Sequence, residues 1–262
     1  MGIISGSGTY IWPGFADPQP RTCETEYGSV EVAVGTIDGV EVVHLSRHGA
    51  GHARLSNQVT HQANLQALLE LHADAVVSLT VCGAVDPHVP VGTLVVFDDL
   101  YFPSNRLPDG SLCTWHTAPG AAGRGHWIFD RPFSEGVREQ LIDAARRLHL
   151  PVRDGGCYGH VDGPRFNSRA EVAALAAAGV VAISQTAGPE IVLAGEAQLP
   201  LAVLGFVTDH ANGVPAVPQP IAELQRLLAA STETFARVLT AALPRLDKPE
   251  PPGIVYRFGG PS

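Results

Sequence analysis

Short, nearly continuous apolar runs alternate along this chain with longer stretches in which apolar residues recur every three or four positions. The runs are typical of buried strands and the longer stretches of amphipathic helices, and their alternation indicates an α/β fold. After a first strand that begins at Gly2, further strands are predicted at residues 40–45, 75–81, 94–97, 180–183 and 201–207. Helices are predicted at residues 57–71, 134–148, 169–178 and 221–243. We therefore expect a central sheet flanked by helices.

Two segments lack this periodicity. Residues 101–131 are dense in glycine, proline and polar residues, and an irregular segment of this length inside a compact domain is typical of a binding loop or a lid. The tail, residues 247–262, is rich in proline and cannot continue the last helix, so we expect a peripheral strap or a segment without order. The helix after Ser168 has clear end signals, because Ser168 and Glu171 form a capping box and Gly179 suits a left-handed closing residue.

Composition and charge exclude several classes of protein. The chain has 17 Lys and Arg against 26 Asp and Glu, a formal charge of −9. It therefore lacks the positive electrostatic potential that would attract nucleic acid or an anionic membrane. It has no apolar run of the ~18 to 20 residues that a membrane span needs and no secretory signal, so a cytoplasmic location is expected. Its four cysteines and eleven histidines show no metal-ligand spacing, and no metal is expected. No long polar linker divides residues 1–262, which are predicted to form one domain.

Two glycine-rich turns follow predicted strands. In Ser5-Gly6-Ser7-Gly8, small residues let backbone amides and the Ser7 hydroxyl approach an anion closely. After strand 40–45, Arg47 and His48 place a guanidinium and an imidazole on the second turn, and the planar fork of arginine suits phosphate oxygens. Ligands of open α/β sheets bind at the carboxyl ends of the strands. The two turns together therefore predict a phosphate-sized anion site.

Seven segments occur along most of the chain in one order. They begin at Gly2, Arg47, Val59, Thr80, Gly163, Thr186 and Thr208. In this order they resemble the purine nucleoside phosphorylase family, specifically its 5′-methylthioadenosine phosphorylase branch. The resemblance implies a mixed sheet flanked by helices, a homotrimer or homohexamer, no metal or organic cofactor, and inorganic phosphate as a co-substrate.

The resemblance also implies the reaction and its phosphate site. The reaction is phosphorolysis, in which a nucleoside and phosphate give free purine and a sugar 1-phosphate through a transition state with cationic character at C1′. The implied phosphate ligands are Ser7, Arg47, His48, Thr80, Val81 and Thr186. Arg47 and His48 would act catalytically by orienting the phosphate beside the developing cation. Taken alone, Thr80 and Thr186 would read as ordinary β-branched strand residues.

The implied purine site lies further along the chain. Phe166 matches the family's aromatic platform, because a planar base stacks on a flat apolar partner. Asp209 would donate or share a proton at N7 of the leaving purine, which needs a raised pKa and a partly dry pocket. His126 matches a position that reaches into the neighbouring subunit's site near the 5′ end of the sugar. His210 and Asn212 complete the implied substrate contacts.

Two positions depart from the methylthioadenosine branch. Ala211 stands where the branch has a second Asp that receives the adenine amino group, and Gln185 stands where it has a Met under the ribose. The amide of Gln185 could contact a ribose hydroxyl, the base edge or neither. The base is therefore adenine, held by Asp209 alone or with Asn212 substituting, or a 6-oxopurine such as hypoxanthine. Asp209 favours the 6-aminopurine, because an ionised carboxylate repels a 6-oxo group.

Two other functions fit a fold of this kind. A nucleoside hydrolase would use water in place of phosphate, but it has less need of Arg47 and His48. A purine-binding protein without activity would explain the changes at Gln185 and Ala211. A buried nucleophilic thiol at Cys82 is not favoured, because no neighbouring residue signals a lowered pKa.

Overall fold

The computed structural model describes residues 1–7, 12–215, 217 and 219–258, so Gly8 of the first turn and residues 259–262 of the tail lie outside the described residues. The strands are β1 Gly2–Ser5, β2 Ala16–Thr25, β3 Gly28–Ile37, β4 Val40–Ser46, β5 Val76–Ala84, β6 Leu94–Val96, β7 Asp99–Tyr101, β8 Gly125–Ile128, β9 Val152–Asp154, β10 Cys157–His160, β11 Val180–Ser184, β12 Leu201–His210 and β13 Ile254–Arg257. The helices are α1 His61–Glu70, α2 Glu135–Arg147, α3 Arg169–Ala177, α4 Ala187–Glu196 and α5 Ile221–Ala242.

Eleven of these strands form one mixed sheet with helices on both faces. Its main path runs β2-β3-β4-β1-β5-β11-β10-β7, and β12, β6 and β9 continue from the other edge of β5. Helices α1 and α4 pack on each other over one face, and α2 and α5 over the other. Each pair buries a separate apolar core against the sheet. The predicted α/β fold with a mixed central sheet is confirmed.

The strands predicted from continuous apolar runs are all present. β5 and β12, which pair in parallel along nine residues, are buried on both faces, and this explains why they read as unbroken apolar runs. The capping box of α3 is also present, because Ser168 Oγ accepts from the Glu171 amide and the Glu171 carboxylate accepts from the Ser168 amide. Gly179 follows α3 with φ 82°, as its left-handed role requires.

Several elements differ from the sequence prediction. The hairpin of β2 and β3 was not predicted, because β2 is exposed along nearly its whole length and lacks an apolar face. Helix α4 was not predicted either, since it contains Pro189 and two glycines. The helix expected at residues 57–71 begins only at His61, because residues 56–58 form a separate 3-10 turn.

The long irregular segment contains a strand, and the prediction of an unstructured loop is wrong there. β8 of this segment pairs antiparallel with β13 of the tail. Trp127 in β8 donates its indole N–H to the Pro252 carbonyl, 2.9 Å away, and its ring lies so close to Gly195 of α4 that a Cβ there would clash. The described part of the tail is therefore a strap that holds β8 against α4.

The pairing of β5 opens the sheet at one place. β12 occupies one edge of β5 throughout. On the other edge, β1 pairs with residues 76–78 and β11 with residues 83 and 84. On that second edge, no strand among the described residues pairs with residues 79–82. The carboxyl ends of β1, β4 and β11 converge on this opening, which is where a ligand site is expected.

Candidate active site

A cleft of about 350 Å³ occupies the opening beside β5, a volume in the range of small-molecule sites. The residues predicted for the phosphate and purine sites that line it are Ser7, Arg47, His48, Thr80, Val81, Phe166, Gln185, Thr186, Asp209, Ala211 and Asn212. They come from the turns after β1, β4 and β11, the middle of β5, the end of β12 and the segment before α3. The structure thus brings together side chains that are far apart in the sequence.

Arg47 is buried, and most of its guanidinium is engaged within the protein. Its Nε and Nη2 donate to the two carboxylate oxygens of Glu190 at 2.7 and 3.0 Å. Nη2 also donates to Ser78 Oγ at 2.9 Å, and Nη1 donates to the Leu79 carbonyl at 2.8 Å. Four of the five N–H groups are therefore used. The remaining Nη1 donor lies beside Gly6, where a Cβ would approach Nη1 to 2.6 Å.

The arginine fork holds a carboxylate in this structure, so the predicted contact of Arg47 with phosphate stays a prediction and would be made through the remaining Nη1 donor. Glu190 lies in α4 with no exposed surface, and a buried carboxylate needs a charged partner and hydrogen bonds. Ser78 completes the pair by donating to Glu190 Oε2 at 2.6 Å. Sequence reasoning missed Glu190 and Ser78, although a single acidic residue within the otherwise apolar run after Thr186 was a signal that it needs a partner.

His48 is a neutral group at the edge of the cleft. Its Nδ1 lies 2.9 Å from the Arg54 carbonyl oxygen, which can only accept, so Nδ1 carries the proton and Nε2 is an acceptor. Burial and the neighbouring Arg47 charge lower the pKa of His48 to about 4. The ring stacks on His52 with 4.2 Å between centroids. At neutral pH His48 therefore offers a lone pair and no positive charge.

Hydroxyl and backbone groups supply the other polar surface of the cleft. Thr186 is the N-cap residue of α4 and makes no side-chain capping hydrogen bond. The Thr80 hydroxyl lies 2.8 Å from Ser184 Oγ, which is also 2.7 Å from the Tyr158 hydroxyl. Since backbone groups two residues apart in a strand point to the same edge, Val81 presents its amide on the edge where the Leu79 carbonyl meets Arg47.

Asp209 lies near the end of β12, where the pairing with β5 shifts register. Its Oδ1 accepts from the Thr208 hydroxyl at 2.9 Å. Burial raises the pKa of Asp209 above its ordinary value, and the Thr208 hydrogen bond opposes this rise in part. Oδ2 lies over Gly83, 3.4 Å from where a Cβ would be. The carboxyl group is thus able to hold a proton closer to neutrality than an exposed aspartate would.

The thiol beside this carboxyl is not activated. Cys82 is buried, and burial together with the Asp209 charge raises the pKa of its thiol. A thiol of this kind stays protonated at neutral pH and is a poor nucleophile. Among the described residues, no group of three or more His, Cys, Asp and Glu side chains is placed to hold a metal ion.

Comparison with known proteins shows the family. A model described as the phosphorylase superfamily matches residues 1–244. The chain belongs to the phosphorylase superfamily. A probable 6-oxopurine nucleoside phosphorylase of Thermococcus kodakarensis is 31% identical over 252 residues, which are 95% of this chain and 93% of the relative. An S-methyl-5′-thioadenosine phosphorylase of Thermofilum pendens is 31% identical over 248 residues, 94% of this chain and 92% of the relative.

Solved structures agree with these relatives. The methylthioadenosine phosphorylase of Schistosoma mansoni, solved in complex with adenine, matches this phosphorylase with a TM-score of 0.84 at 26% identity, covering 93% of this chain and 90% of the other. The family recognised from the seven segments is therefore confirmed, as are its fold and its class of activity. The chain is a nucleoside phosphorylase, a pentosyltransferase. No helix in the described part of the chain is long and apolar enough to cross a membrane.

Two predicted substrate contacts do not line the cleft of their own chain. His126 lies in β8 with its side chain exposed, and its ring meets Phe258 edge-on at 5.4 Å between centroids. His210, the last residue of β12, is half-buried and does not line the cleft. Contact of His126 with a neighbouring subunit's site stays a prediction.

Gln185 and Asn212 contact the protein itself. Gln185 Oε1 accepts from the Ser56 hydroxyl at 2.9 Å, and its Nε2 donates to the Arg165 carbonyl at 3.0 Å. Asn212 Nδ2 donates to the Asn167 carbonyl at 2.8 Å. Both side chains also line the cleft. The three roles left open for Gln185, contact with a ribose hydroxyl, with the base edge or with neither, stay predictions.

Proposed function

We propose that this phosphorylase cleaves a 5′-modified adenosine of the 5′-methylthioadenosine type, with inorganic phosphate as the nucleophile and no metal or organic cofactor. The observation that carries the proposal is one cleft lined by Arg47, the hydroxyls of Ser7 and Thr186, and a carboxyl group whose pKa is raised, with Glu190 buried against Arg47. Phosphorolysis needs these two parts side by side, an anion site and a proton donor for the leaving base.

The anion site works through hydrogen bonds more than through net charge. Arg47 and Glu190 together are neutral, and His48 is neutral at pH 7. Phosphate would accept from the hydroxyls of Ser7 and Thr186, the Val81 amide and the remaining Nη1 donor of Arg47. The lone pair of His48 Nε2 suits the proton-bearing oxygen of the phosphate monoanion.

The chemical step follows from this placement. A phosphate oxygen forms a bond to C1′ while the bond from C1′ to N9 breaks, and the electron pair of that bond goes to the purine. The phosphate charge stabilises the cationic sugar in the transition state. Asp209, in its protonated form, donates to N7 of the purine as negative charge builds there. Phe166 offers a flat apolar face to the base.

Adenine and an apolar 5′ group fit the lining of the cleft. Leu224 and Leu228 of α5 line it and suit an apolar substituent such as a methylthio group. Asn212 uses one of its two Nδ2 donors on the Asn167 carbonyl. No described residue donates to its acceptor Oδ1, which would suit a 6-amino donor, whereas the second Nδ2 donor would suit a 6-oxo group. The solved relative with adenine bound supports the same base.

A 6-oxopurine nucleoside is the second candidate substrate. Ala211 stands where the methylthioadenosine branch has an acceptor for the amino group. Relatives of Pyrococcus furiosus and Thermococcus kodakarensis that carry the 6-oxopurine name cover 95% of this chain. A base-specific assay therefore decides between the two candidates.

The decisive experiment incubates the enzyme with a panel of nucleosides that vary in the base and the 5′ group, with and without phosphate. Free base and sugar 1-phosphate are both quantified. We expect equal amounts of the two products, only when phosphate is present, and the highest kcat/KM for a 5′-modified adenosine. Base release without phosphate would identify a hydrolase, and binding without release a purine-binding protein.

Arg47→Ala tests the anion site directly. We expect phosphate-dependent turnover to fall about 100-fold or more, because a preorganised donor and the partner of Glu190 are lost together. Arg54→Ala is the matched control, since it removes an exposed guanidinium and keeps the backbone carbonyl that holds His48. Wild-type phosphate dependence in Arg47→Ala would mean that the anion site is misplaced.

We also propose that the enzyme is a cytoplasmic homotrimer or homohexamer. The exposed apolar side chains of Ile128, Ile254, Tyr256 and Phe258 surround His126 on the β8–β13 ribbon, and patches of this kind are typical of protein interfaces. In the assembly, His126 would reach the 5′ end of the partner's substrate. Sedimentation velocity tests this, and a fully active monomer at high dilution would contradict it.

A further inference from the structure

The segment that carries Phe166 is held from both sides by amide side chains. Phe166 lines the cleft but keeps 67% of its surface exposed, so its own packing does little to fix its position. The carbonyl before it, on Arg165, accepts from Gln185 Nε2, and the carbonyl after it, on Asn167, accepts from Asn212 Nδ2. The backbone on each side of Phe166 is thereby tied to a different strand end.

The chemistry of these contacts fixes how both amides are turned. A backbone carbonyl oxygen only accepts, so each amide must present its NH2 group to the Phe166 segment. Gln185 Oε1 is then free to accept from Ser56 at 2.9 Å. Gly163 lies against this pair so closely that a Cβ would clash with both Gln185 and Ser56. The bridge from Ser56 through Gln185 to Arg165 is therefore a packed contact.

We propose that Gln185 and Asn212 are positioning residues that clasp the Phe166 segment and so set how tightly the purine is held. The inference rests on the proposed function, because it assumes that the base stacks on Phe166. It assigns Gln185 a role through Phe166 in place of direct contact with the ribose or the base. Gln185 and Asn212 act at opposite ends of the segment, so both are needed to hold the aromatic ring over the cleft.

Two substitutions of Gln185 separate its two hydrogen bonds. Gln185→Met keeps the length of the side chain and removes both bonds, whereas Gln185→Glu keeps the acceptor for Ser56 and removes the donor to Arg165. Both variants lose the hydrogen bond to the Arg165 carbonyl. We therefore expect both to raise the calorimetric Kd for free adenine and the KM for the nucleoside about tenfold, the order of effect of one lost hydrogen bond. We expect kcat to fall less and the KM for phosphate to stay within twofold. Asn212→Ala removes the other tie but also the acceptor offered to a 6-amino group, so the test rests on Gln185.

A double-mutant cycle with Phe166→Ala tests whether the effect passes through the aromatic ring. In the Phe166→Ala background we expect Gln185→Met to change the adenine Kd less than twofold, since the clasp then has no ring to hold. A full tenfold effect in that background would overturn the proposal, because Gln185 would be acting on the ligand directly. Thermal melts identify any variant that fails to fold, and Gln185→Glu, the closest in shape, then carries the measurement.

Failure of this inference is distinguishable from failure of the proposed function. A wild-type enzyme that neither binds adenine nor releases base would refute the proposed function. A wild-type enzyme that does both, but whose Gln185→Met and Gln185→Glu variants bind adenine as tightly as before, would refute the clasp alone.

Discussion

The replacement Glu190→Gln isolates the buried ion pair under the anion site. Glutamine has the size of glutamate but one acceptor oxygen and no charge, so Arg47 keeps a single side-chain acceptor at this position and its charge is left without a partner. Both side chains are at most 1% exposed, and removing one partner of such a pair costs about 3 to 5 kcal/mol. For a chain of this size we expect the Tm to fall by about 10 °C.

Urea unfolding followed by tryptophan fluorescence measures the free energy of unfolding that Glu190→Gln loses. Two further variants give the values with which this loss is compared. Ser78→Ala keeps both charges and removes the Ser78 hydrogen bonds to Arg47 and Glu190. It should cost about 2 kcal/mol, the order of a hydrogen bond to a charged group and less than the loss of one partner of the pair. Arg47→Met combined with Glu190→Leu removes both charges and should recover much of the stability that Glu190→Gln loses. A loss below about 1 kcal/mol in Glu190→Gln, or a double variant no more stable than it, would refute this account of the pair.

Phosphate provides an independent readout of the same change. In Glu190→Gln the charge of Arg47 is no longer balanced by a carboxylate. We therefore expect 20 mM phosphate, a concentration on the order of those used in such assays, to raise the Tm of this variant more than that of the wild type. Equal shifts in the two proteins would show that Arg47 does not face the anion.

Two further predictions concern titratable groups. Asp209→Asn should keep the fold, lower the turnover of adenine nucleosides strongly and lower that of 6-oxopurine nucleosides less. The amide cannot protonate N7, but it can donate a hydrogen bond to a 6-oxo group. An equal loss of turnover on both bases in the panel assay would limit Asp209 to proton donation. Acid should destabilise the fold, because burial lowers the pKa of four histidines well below 6.5, to about 4 for His44 and His48 and about 3 for His61 and His160. The unfolded chain then binds protons that the folded one excludes, so stability present above pH 6.5 is lost as the pH falls, by about 2 kcal/mol for each histidine at pH 5. Urea titrations at pH 7.5 and 5 check this, and equal stability at both would contradict it.

The sequence predicted those parts of the fold whose patterning is local. β5 and β12 are buried on both faces, so their apolar runs are continuous, and α3 carries its start and end signals within its own residues. β2 has an exposed, polar sequence, and its strand conformation comes from pairing with β3. β8 is recognisable only through β13, which lies more than 120 residues further along the chain.

In the site too, only the residues marked by local sequence patterns were predicted. Arg47 was placed correctly beside a glycine-rich turn, since residue type and position after a strand are readable from sequence. Its partner Glu190 is 143 residues away, and only the packing of α4 against the sheet brings the two together. The contacts of Gln185 and Asn212 likewise depend on a segment whose backbone path no residue pattern specifies.

The strap formed by the tail has a consequence for synthesis of the protein. Trp127 packs against Gly195 of α4 and is held by the Pro252 carbonyl, which lies 125 residues later in the chain. While the chain is being made, β8 and α4 leave the ribosome before β13 exists, and the ring of Trp127 has no indole acceptor from the tail. Helix α4, whose first turn borders the cleft, is therefore the last helix to receive its cover of β8 and the tail. Until then, an incomplete chain exposes the apolar surface around Trp127 to chaperones and to aggregation.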